Sequence, residues 1–201
     1  SDLQGGGCWQ LRDLHDYHVR IREPLVGAYK DSLIVTAPLP SAGGIALISA
    51  LNILQRYRLA ALNEPQWVHY VVSAMRLVYR QRYQYLGDSD FVDVPVERLL
   101  SMDNADQLAA QIQHNTATPP PTTKAQHSAI DGHTTHISVL DEHGNRVSAT
   151  LTVNYIFGSG VVAPGTGVLL NDEMDDFSVA LNRHNLYGLL GSKANSIAPG
   201  K

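Results

Sequence analysis

Residues 134–154 alternate between polar and apolar side chains on both sides of a turn signal, Glu142-His143-Gly144-Asn145, and no other feature constrains the fold as strongly. Thr135 to Leu140 and Arg146 to Val153 read as the strands of an antiparallel hairpin. With an odd number of turn residues, so that Glu142 faces Arg146, Ile137 faces Leu151, Val139 faces Ala149 and Thr135 faces Val153. One face is then nearly continuous, apolar and suited to burial. The other gathers Thr134, His136 and Ser138 against Ser148, Thr150, Thr152 and Asn154. An even loop would pair apolar with polar side chains and lose cross-strand contacts that stabilise a sheet. The odd register predicts Asn154 opposite Thr134, with Thr152 on the diagonal.

The rest of the chain supplies helices. After the Ser41–Gly44 loop, Ile45 to Gln55 reads as an apolar helix with Leu47, Leu51 and Leu54 on one side. Trp67 to Arg82 is amphipathic, with Val68, Val71, Val72, Met75 and Val78 at helical spacing. Shorter helices are expected from Pro95 to Leu100 and from Ala105 to Gln113. Val19-Arg20-Ile21 and Leu33-Ile34-Val35 read as strands, bounded by Pro24 and by Pro38 and Pro40. These helices and antiparallel strands predict an α/β (α+β) fold. Thr116–Thr123 is rich in Pro and Thr and cannot carry regular backbone pairing. The expected organisation is therefore residues 1–113 with helices and short strands, a linker over 114–133, and a β-rich region over 134–201. That linker delivers the chain directly to Thr134, so it serves equally as a domain connector or as an exposed, cleavable one.

Composition removes several function classes. A hydrophobic fraction of 44% with 17% charged residues is ordinary for a globular chain. The net charge of −4 gives no basic footprint for nucleic acid and no polybasic membrane patch. No apolar run reaches transmembrane length. Cys8 stands alone, which excludes an internal disulfide framework and a Cys-rich zinc site. The nine His residues form no HxxxH or HExxH pair, so no metal and no cofactor is expected. Both ends, the polar Ser1–Gly7 stretch and Ala198–Lys201, read as cuts through a longer protein.

Two readings of the polar face remain open. Solvent exposure is common on one side of an antiparallel sheet. Alternatively, the face carries chemistry. A threonine hydroxyl is a weak nucleophile at neutral pH, and cutting the chain just before it frees its own α-amine to act as base. The acidic run Asp172-Glu173-Met174-Asp175-Asp176 is also ambiguous. A helical turn puts Glu173 and Asp176 on the same side, either as a solvated helix start favoured by the helix dipole or as an anionic pocket for an ammonium group.

Taken together, Thr134–Asn145, Thr152-Val153-Asn154, Phe157–Gly160 and Gly167–Phe177 closely resemble the γ-glutamyltransferases (γ-glutamyl transpeptidases). So do Gly5–Gly7, Asp13-Leu14, Arg22–Pro24, Pro38–Gly44, Leu51–Leu54 and Tyr85–Val92, so the resemblance runs in order along essentially the whole chain. It implies the αββα sandwich of the N-terminal-nucleophile hydrolases. It implies a precursor that cleaves itself between His133 and Thr134 into large and small subunits that stay paired. Thr134 would be the nucleophile toward γ-glutamyl amides such as glutathione, with Thr152 orienting it. Asn154 would lie at the glutamate site, and Glu173 and Asp176 would grip the substrate α-amino group. Water, an amino acid or a peptide would resolve the acyl-threonine. No cofactor is implied, and a periplasmic or secreted location is suggested.

The family's paired serines and Gly-Gly pair, which follow the stretch matched by Pro199–Lys201, and its carboxylate-binding arginine upstream of Ser1 lie outside the 201 residues. Losing even one oxyanion donor costs a rate factor of about 10² to 10³, so these residues alone are expected to be inactive. Two alternatives stand beside this reading: an acylase for glutaryl or cephalosporin side chains, and a non-catalytic module derived from the family.

Overall fold

The computed structural model describes residues 10–120, 134–181, 183, 185 and 190–198. By compactness the chain divides into two units, Arg22–His127 with Ser178–Lys201, and Ser1–Ile21 with Ser128–Phe177.

The helical unit opens with strands β1 (Leu25–Tyr29) and β2 (Ser32–Thr36), paired antiparallel around Lys30 and Asp31, with Tyr29 opposite Ser32. Leu33–Val35 lies in β2 as expected. Val19–Ile21 does not form a strand; its residues are exposed coil. A two-residue turn requires the partner of β2 to end at Tyr29, so hairpin closure selects the segment just after Pro24.

Helix α2 (Ala42–Leu54) follows Ser41, whose backbone is extended at the N-cap. It buries Ile45, Ile48, Ser49, Asn52, Ile53 and Leu54, whereas Leu47, which spacing puts on the same side as Leu54, is 46% exposed. The helix is apolar almost all round, so periodicity could not choose its buried face. Polar anchors choose it: Ser49 Oγ donates to the Leu99 carbonyl at 3.2 Å and Asn52 Nδ2 to the Leu100 carbonyl at 2.9 Å. Unpaired in the interior, those groups would cost more than an exposed leucine.

Helix α3 runs from Glu64 to Tyr85, with Pro65 in its first turn. A reciprocal capping box closes its start: Gln66 N–H donates to Asn63 Oδ1 at 3.0 Å, and Asn63 N–H to Gln66 Oε1 at 3.3 Å. Its buried face carries Ser73, Ala74, Leu77 and Val78, while Val68, Val72 and Met75 remain largely exposed. The small side chains of Ser73 and Ala74 permit close approach of a neighbouring helix, which the Val68/Val72/Met75 stripe does not.

Short helices α4 (Val96–Leu100) and α5 (Met102–Ala109) complete the packing, with Ser101 Oγ accepting from Asn104 N–H at the start of α5. One core cluster joins Ile53, Leu54, Ala74, Leu77, Val78, Ala105, Leu108 and Ile112. A second joins Leu39, Ile45, Leu86 and Leu99. Beyond α5 the chain stays against α3: His69 Nε2 lies 2.9 Å from the Gln113 carbonyl, Tyr70 OH 3.1 Å from His114 Nδ1, and Arg76 Nη1 donates to the buried Thr118 carbonyl at 2.5 Å. Of the expected linker, residues 121–133 lie outside the described residues.

The second unit begins with a short exposed helix, α1 (Leu11–His15), and is built on β3 (Thr135–Leu140) and β4 (Arg146–Leu151). These strands pair antiparallel, with Thr135 opposite Leu151, His136 opposite Thr150, Ile137 opposite Ala149 and Ser138 opposite Ser148. The parity is the expected one, so polar residues face polar ones. The register itself is shifted by two residues, because Leu140, not Glu142, faces Arg146. Asp141 is the cause. Its carboxylate accepts the backbone N–H groups of His143 and Asn145 at 2.9 and 2.8 Å and the Asn145 amide at 2.7 Å, while Gly144 adopts φ 83°. An Asx-type loop over 141–145 thus removes Asp141 and Glu142 from the strands. Those bonds hold the Asp141 carboxyl below its usual range, the Asn145 side-chain amide being the largest contributor. The apolar face is not buried as expected; Val139 is 52% exposed and Leu151 58%.

Because Ile53 is fully enclosed and Leu47 lies on the open side of the same helix, Ile53→Ala is expected to cost about 2–5 kcal/mol. Leu47→Ala should stay within about 0.5 kcal/mol. Urea unfolding midpoints compared at constant slope separate the two, and equal losses would contradict the face assigned to α2.

Candidate active site

The observed register brings Thr134 directly level with Thr152, since Thr135 faces Leu151. Thr134 Oγ1 donates to Thr152 Oγ1 at 3.1 Å. Among the described residues this is the hydrogen bond that engages the Thr134 hydroxyl. Thr152 Oγ1 also accepts the backbone N–H of Asn154 at 2.9 Å, two residues on. This is an ST-turn that ends the strand and fixes the hydroxyl. Asn154 is therefore not opposite Thr134. It sits past the end of β4 with φ 69°, buried, its Nδ2 donating to the Asp172 carbonyl at 3.2 Å.

The same polar face continues as a ladder. His136 Nδ1 lies 2.8 Å from Thr150 Oγ1, and its Nε2 lies 3.0 Å from Ser148 Oγ and 3.3 Å from Ser138 Oγ. Both imidazole nitrogens are engaged with hydroxyls other than Thr134.

A glycine-rich loop returns the chain to this end of the hairpin. Gly158, Gly160, Gly165 and Gly167 all have positive φ. A side chain at Gly158 would collide with the Leu170 carbonyl. The loop closes as a narrow ribbon: Ser159 N–H donates to Leu170 O at 3.0 Å, Leu170 N–H to Val161 O at 2.9 Å, and Ala163 N–H to Val168 O at 2.9 Å. It delivers Asp172 beside the segment 153–155. There Asp172 N–H donates to Val153 O at 3.3 Å, and Asp172 Oδ1 accepts the Tyr155 N–H at 3.1 Å.

The acidic run forms the 3₁₀ turn Glu173–Asp176, so Glu173 and Asp176 lie on one side, as i and i+3 positions eclipse in such a turn. Asn171 Oδ1 accepts the Glu173 N–H at 3.0 Å. Burial raises the Glu173 carboxyl above its ordinary value, reinforced by the charge of Asp176, by the hydrogen bond that protonated Glu173 donates to Asp176, and by the charge of Asp172. Glu173 Oε1 is buried without a hydrogen-bond partner in the structure. A group so placed favours a proton or a cation over solvent.

Thr134 and Thr152 are thus in direct contact, as are Thr152 and Asn154, and Glu173 and Asp176 act on each other. His133 lies outside the described residues. Asp172, not singled out in the sequence, joins the hydroxyl end to the acidic turn; the crowding of acids around it was the available signal. Among the described residues no group of three His, Cys, Asp or Glu side chains could hold a metal ion, and no helix is long and apolar enough to cross a membrane.

The described helices and small antiparallel sheets make an α+β fragment, in keeping with solved structures of the N-terminal-nucleophile hydrolase class. Cephalosporin acylase from Bacillus halodurans is similar over 98% of this chain and 33% of its own, with a TM-score of 0.76 at 26% identity. γ-Glutamyltranspeptidase from Helicobacter pylori is similar over 61% of this chain and 38% of its own, with a TM-score of 0.55 at 36% identity. The family model described as Gamma-glutamyltranspeptidase matches residues 2–201, and the chain belongs to that family. Glutathione hydrolase proenzyme from Pseudomonas aeruginosa is 44% identical over 98% of this chain and 36% of its own length. Its counterpart from Escherichia coli strain K12 is 37% identical over 98% and 35%. An acylase ACY 1 proenzyme from Pseudomonas sp. strain V22 is 36% identical over 98% and 33%. The chain spans about a third of the length of these curated relatives.

The raised Glu173 carboxyl carries a pH signature. A group that holds its proton longer in the folded state contributes stability that is full below the ordinary glutamate range and is lost as pH rises through the folded value. Glu173→Gln is therefore expected to leave stability nearly unchanged at low pH and to increase it relative to wild type above that window. Urea midpoints across a pH series test this; a variant less stable at neutral pH would contradict it.

Proposed function

We propose that the chain forms the self-processing and nucleophilic part of a γ-glutamyltransferase that hydrolyses or transfers the γ-glutamyl group of glutathione-like amides. The observation that carries this reading is the Thr134 Oγ1–Thr152 Oγ1 hydrogen bond at 3.1 Å. It joins a hydroxyl to a partner that cannot act as a base at neutral pH. His136, the nearest titratable side chain along the strand, is engaged elsewhere. Cleavage of the His133–Thr134 bond supplies the missing base as the α-amine of Thr134 itself.

In this mechanism Thr152 orients the hydroxyl. The α-amine takes the proton as Oγ1 attacks the γ-glutamyl carbonyl, and gives it to the departing amine as the C–N bond breaks. Water, an amino acid or a peptide then attacks the acyl-threonine, and the proton path runs in reverse. Glu173 and Asp176 receive the substrate ammonium, whose charge relieves the repulsion between the two carboxylates. Asn154 borders the glutamate site. Residues 1–113 close the large-subunit part, 114–133 lead to the cut and 134–201 open the small subunit. The proenzyme naming of the relatives supports processing of this kind.

A glutaryl or cephalosporin acylase is the second reading, supported by the acylase relative and the similar acylase structure. Its acyl group carries no ammonium, so the acidic pair favours γ-glutamyl donors. The full-length protein is expected to prefer a γ-glutamyl anilide over a glutaryl anilide in kcat/KM; the reverse preference would assign the acylase reading.

Intact mass of the full-length protein should show two pieces, one beginning at Thr134. Thr134→Ala should leave one uncut chain and lower turnover on the order of 10³-fold or more, as removal of a nucleophile does, whereas Thr134→Ser should retain both cleavage and activity. A single uncut chain that turns over substrate would overturn the mechanism.

A further inference from the structure

We propose that Asp172 is a positioning residue that locks the acidic turn Glu173–Asp176 to the end of the threonine-bearing hairpin, and that its side chain does so as a hydrogen-bond acceptor and not as a charge. The inference rests on the reading of Glu173 and Asp176 as the amine clamp. Asp172 occupies the N-cap position of the 3₁₀ turn, where an aspartate ordinarily accepts from the turn's own N–H groups. It makes no such bond. Asn171 takes over part of that task by accepting the Glu173 N–H at 3.0 Å. The Asp172 carboxylate instead reaches across and accepts the Tyr155 N–H at 3.1 Å.

The backbone of Asp172 strengthens the same link. Its N–H donates to Val153 O at 3.3 Å, and its carbonyl accepts both Asn154 Nδ2 at 3.2 Å and Asp175 N–H at 3.0 Å. One residue therefore contacts 153, 154 and 155 on one side and the interior of the acidic turn on the other. Asn154 in turn fixes Thr152 through its own N–H, and Thr152 holds the Thr134 hydroxyl. The hydrogen-bonded path from nucleophile to clamp is continuous, and the bond to Tyr155 N–H is the part that depends on the Asp172 side chain. Beyond position 151 the ladder of β3 and β4 has ended, so this side-chain bond stands where a backbone bond would otherwise hold the strand.

Loss of the acceptor should loosen the clamp relative to the nucleophile and leave the nucleophile's own partners intact. In the full-length protein, Asp172→Ala is expected to raise the KM for a γ-glutamyl anilide about tenfold, the size expected for one partly buried hydrogen bond, with kcat changed less than about threefold and self-cleavage retained. Asp172→Asn keeps an acceptor oxygen and should restore KM to within about twofold of wild type. Amide hydrogen exchange over residues 153–156 and 173–177 should accelerate in Asp172→Ala and return to the wild-type rate in Asp172→Asn.

Three results would overturn the proposal. One is wild-type KM and exchange in Asp172→Ala. Another is an Asp172→Asn variant as impaired as Asp172→Ala, which would make charge the operative property. The third is equal loss of kcat and kcat/KM, which would mark general damage at the site. If the wild-type protein shows no Thr134-dependent turnover, the functional reading fails separately, and the exchange contrast between the two variants still decides whether Asp172 is the link.

Discussion

The register of one hairpin decides what this part of the molecule is capable of. Asp141 draws three donors from a five-residue loop onto its carboxylate, and so fixes where β3 and β4 begin to pair. A side-chain period of two means that any even shift keeps polar facing polar, so alternation alone does not separate the possible registers. The loop separates them. With Leu140 against Arg146, two threonine hydroxyls meet at the far end of the strands, and the ST-turn, the glycine ribbon and the acidic turn follow from that end.

Chemistry and stability divide between the two units. The helical unit carries the two buried core clusters, held in place by amide and hydroxyl anchors that choose which face of α2 is enclosed. The hairpin unit carries the side chains of the candidate site and little enclosed apolar surface. Its order comes from local hydrogen bonds: the Asx loop, the ST-turn, the ribbon over 158–170 and the contacts of Asp172. Such bonds are directional and of short reach, which suits the placement of side chains to fractions of an ångström.

Much of this was legible in the sequence, for identifiable reasons. Alternation located β3 and β4 and their face parity, and the i, i+3 spacing located the acidic turn. Helical periodicity found α2 and α3 but not their inner faces, because both helices carry more apolar surface than the core encloses, and the choice rests on Ser49, Asn52, Ser73 and Ala74. The strand expected at Val19–Ile21 failed because β propensity does not encode closure; the turn at Lys30 and Asp31 does. The two-residue error in hairpin register has a similar origin, since the turn reads as opening at Glu142 until the Asp141 side chain is seen turned into the loop. For the candidate site, the residue types at 134, 152, 154, 173 and 176 were legible. The linking role of Asp172 was not, because it depends on a chain reversal seventeen to nineteen residues long, closed by glycines at positive φ.

Asn154 illustrates how narrow such a design becomes. Its backbone lies in the left-handed region at φ 69°, which in practice admits glycine, asparagine and aspartate and penalises most other residues. Its side chain must donate a hydrogen bond to the Asp172 carbonyl. Glycine satisfies the first demand and not the second, and aspartate offers an acceptor where a donor is required. Glutamine offers the donor but not the backbone preference. The two requirements intersect at a single amino acid, so this position has almost no neutral neighbours in sequence space, and drift in the surrounding loop must proceed around it.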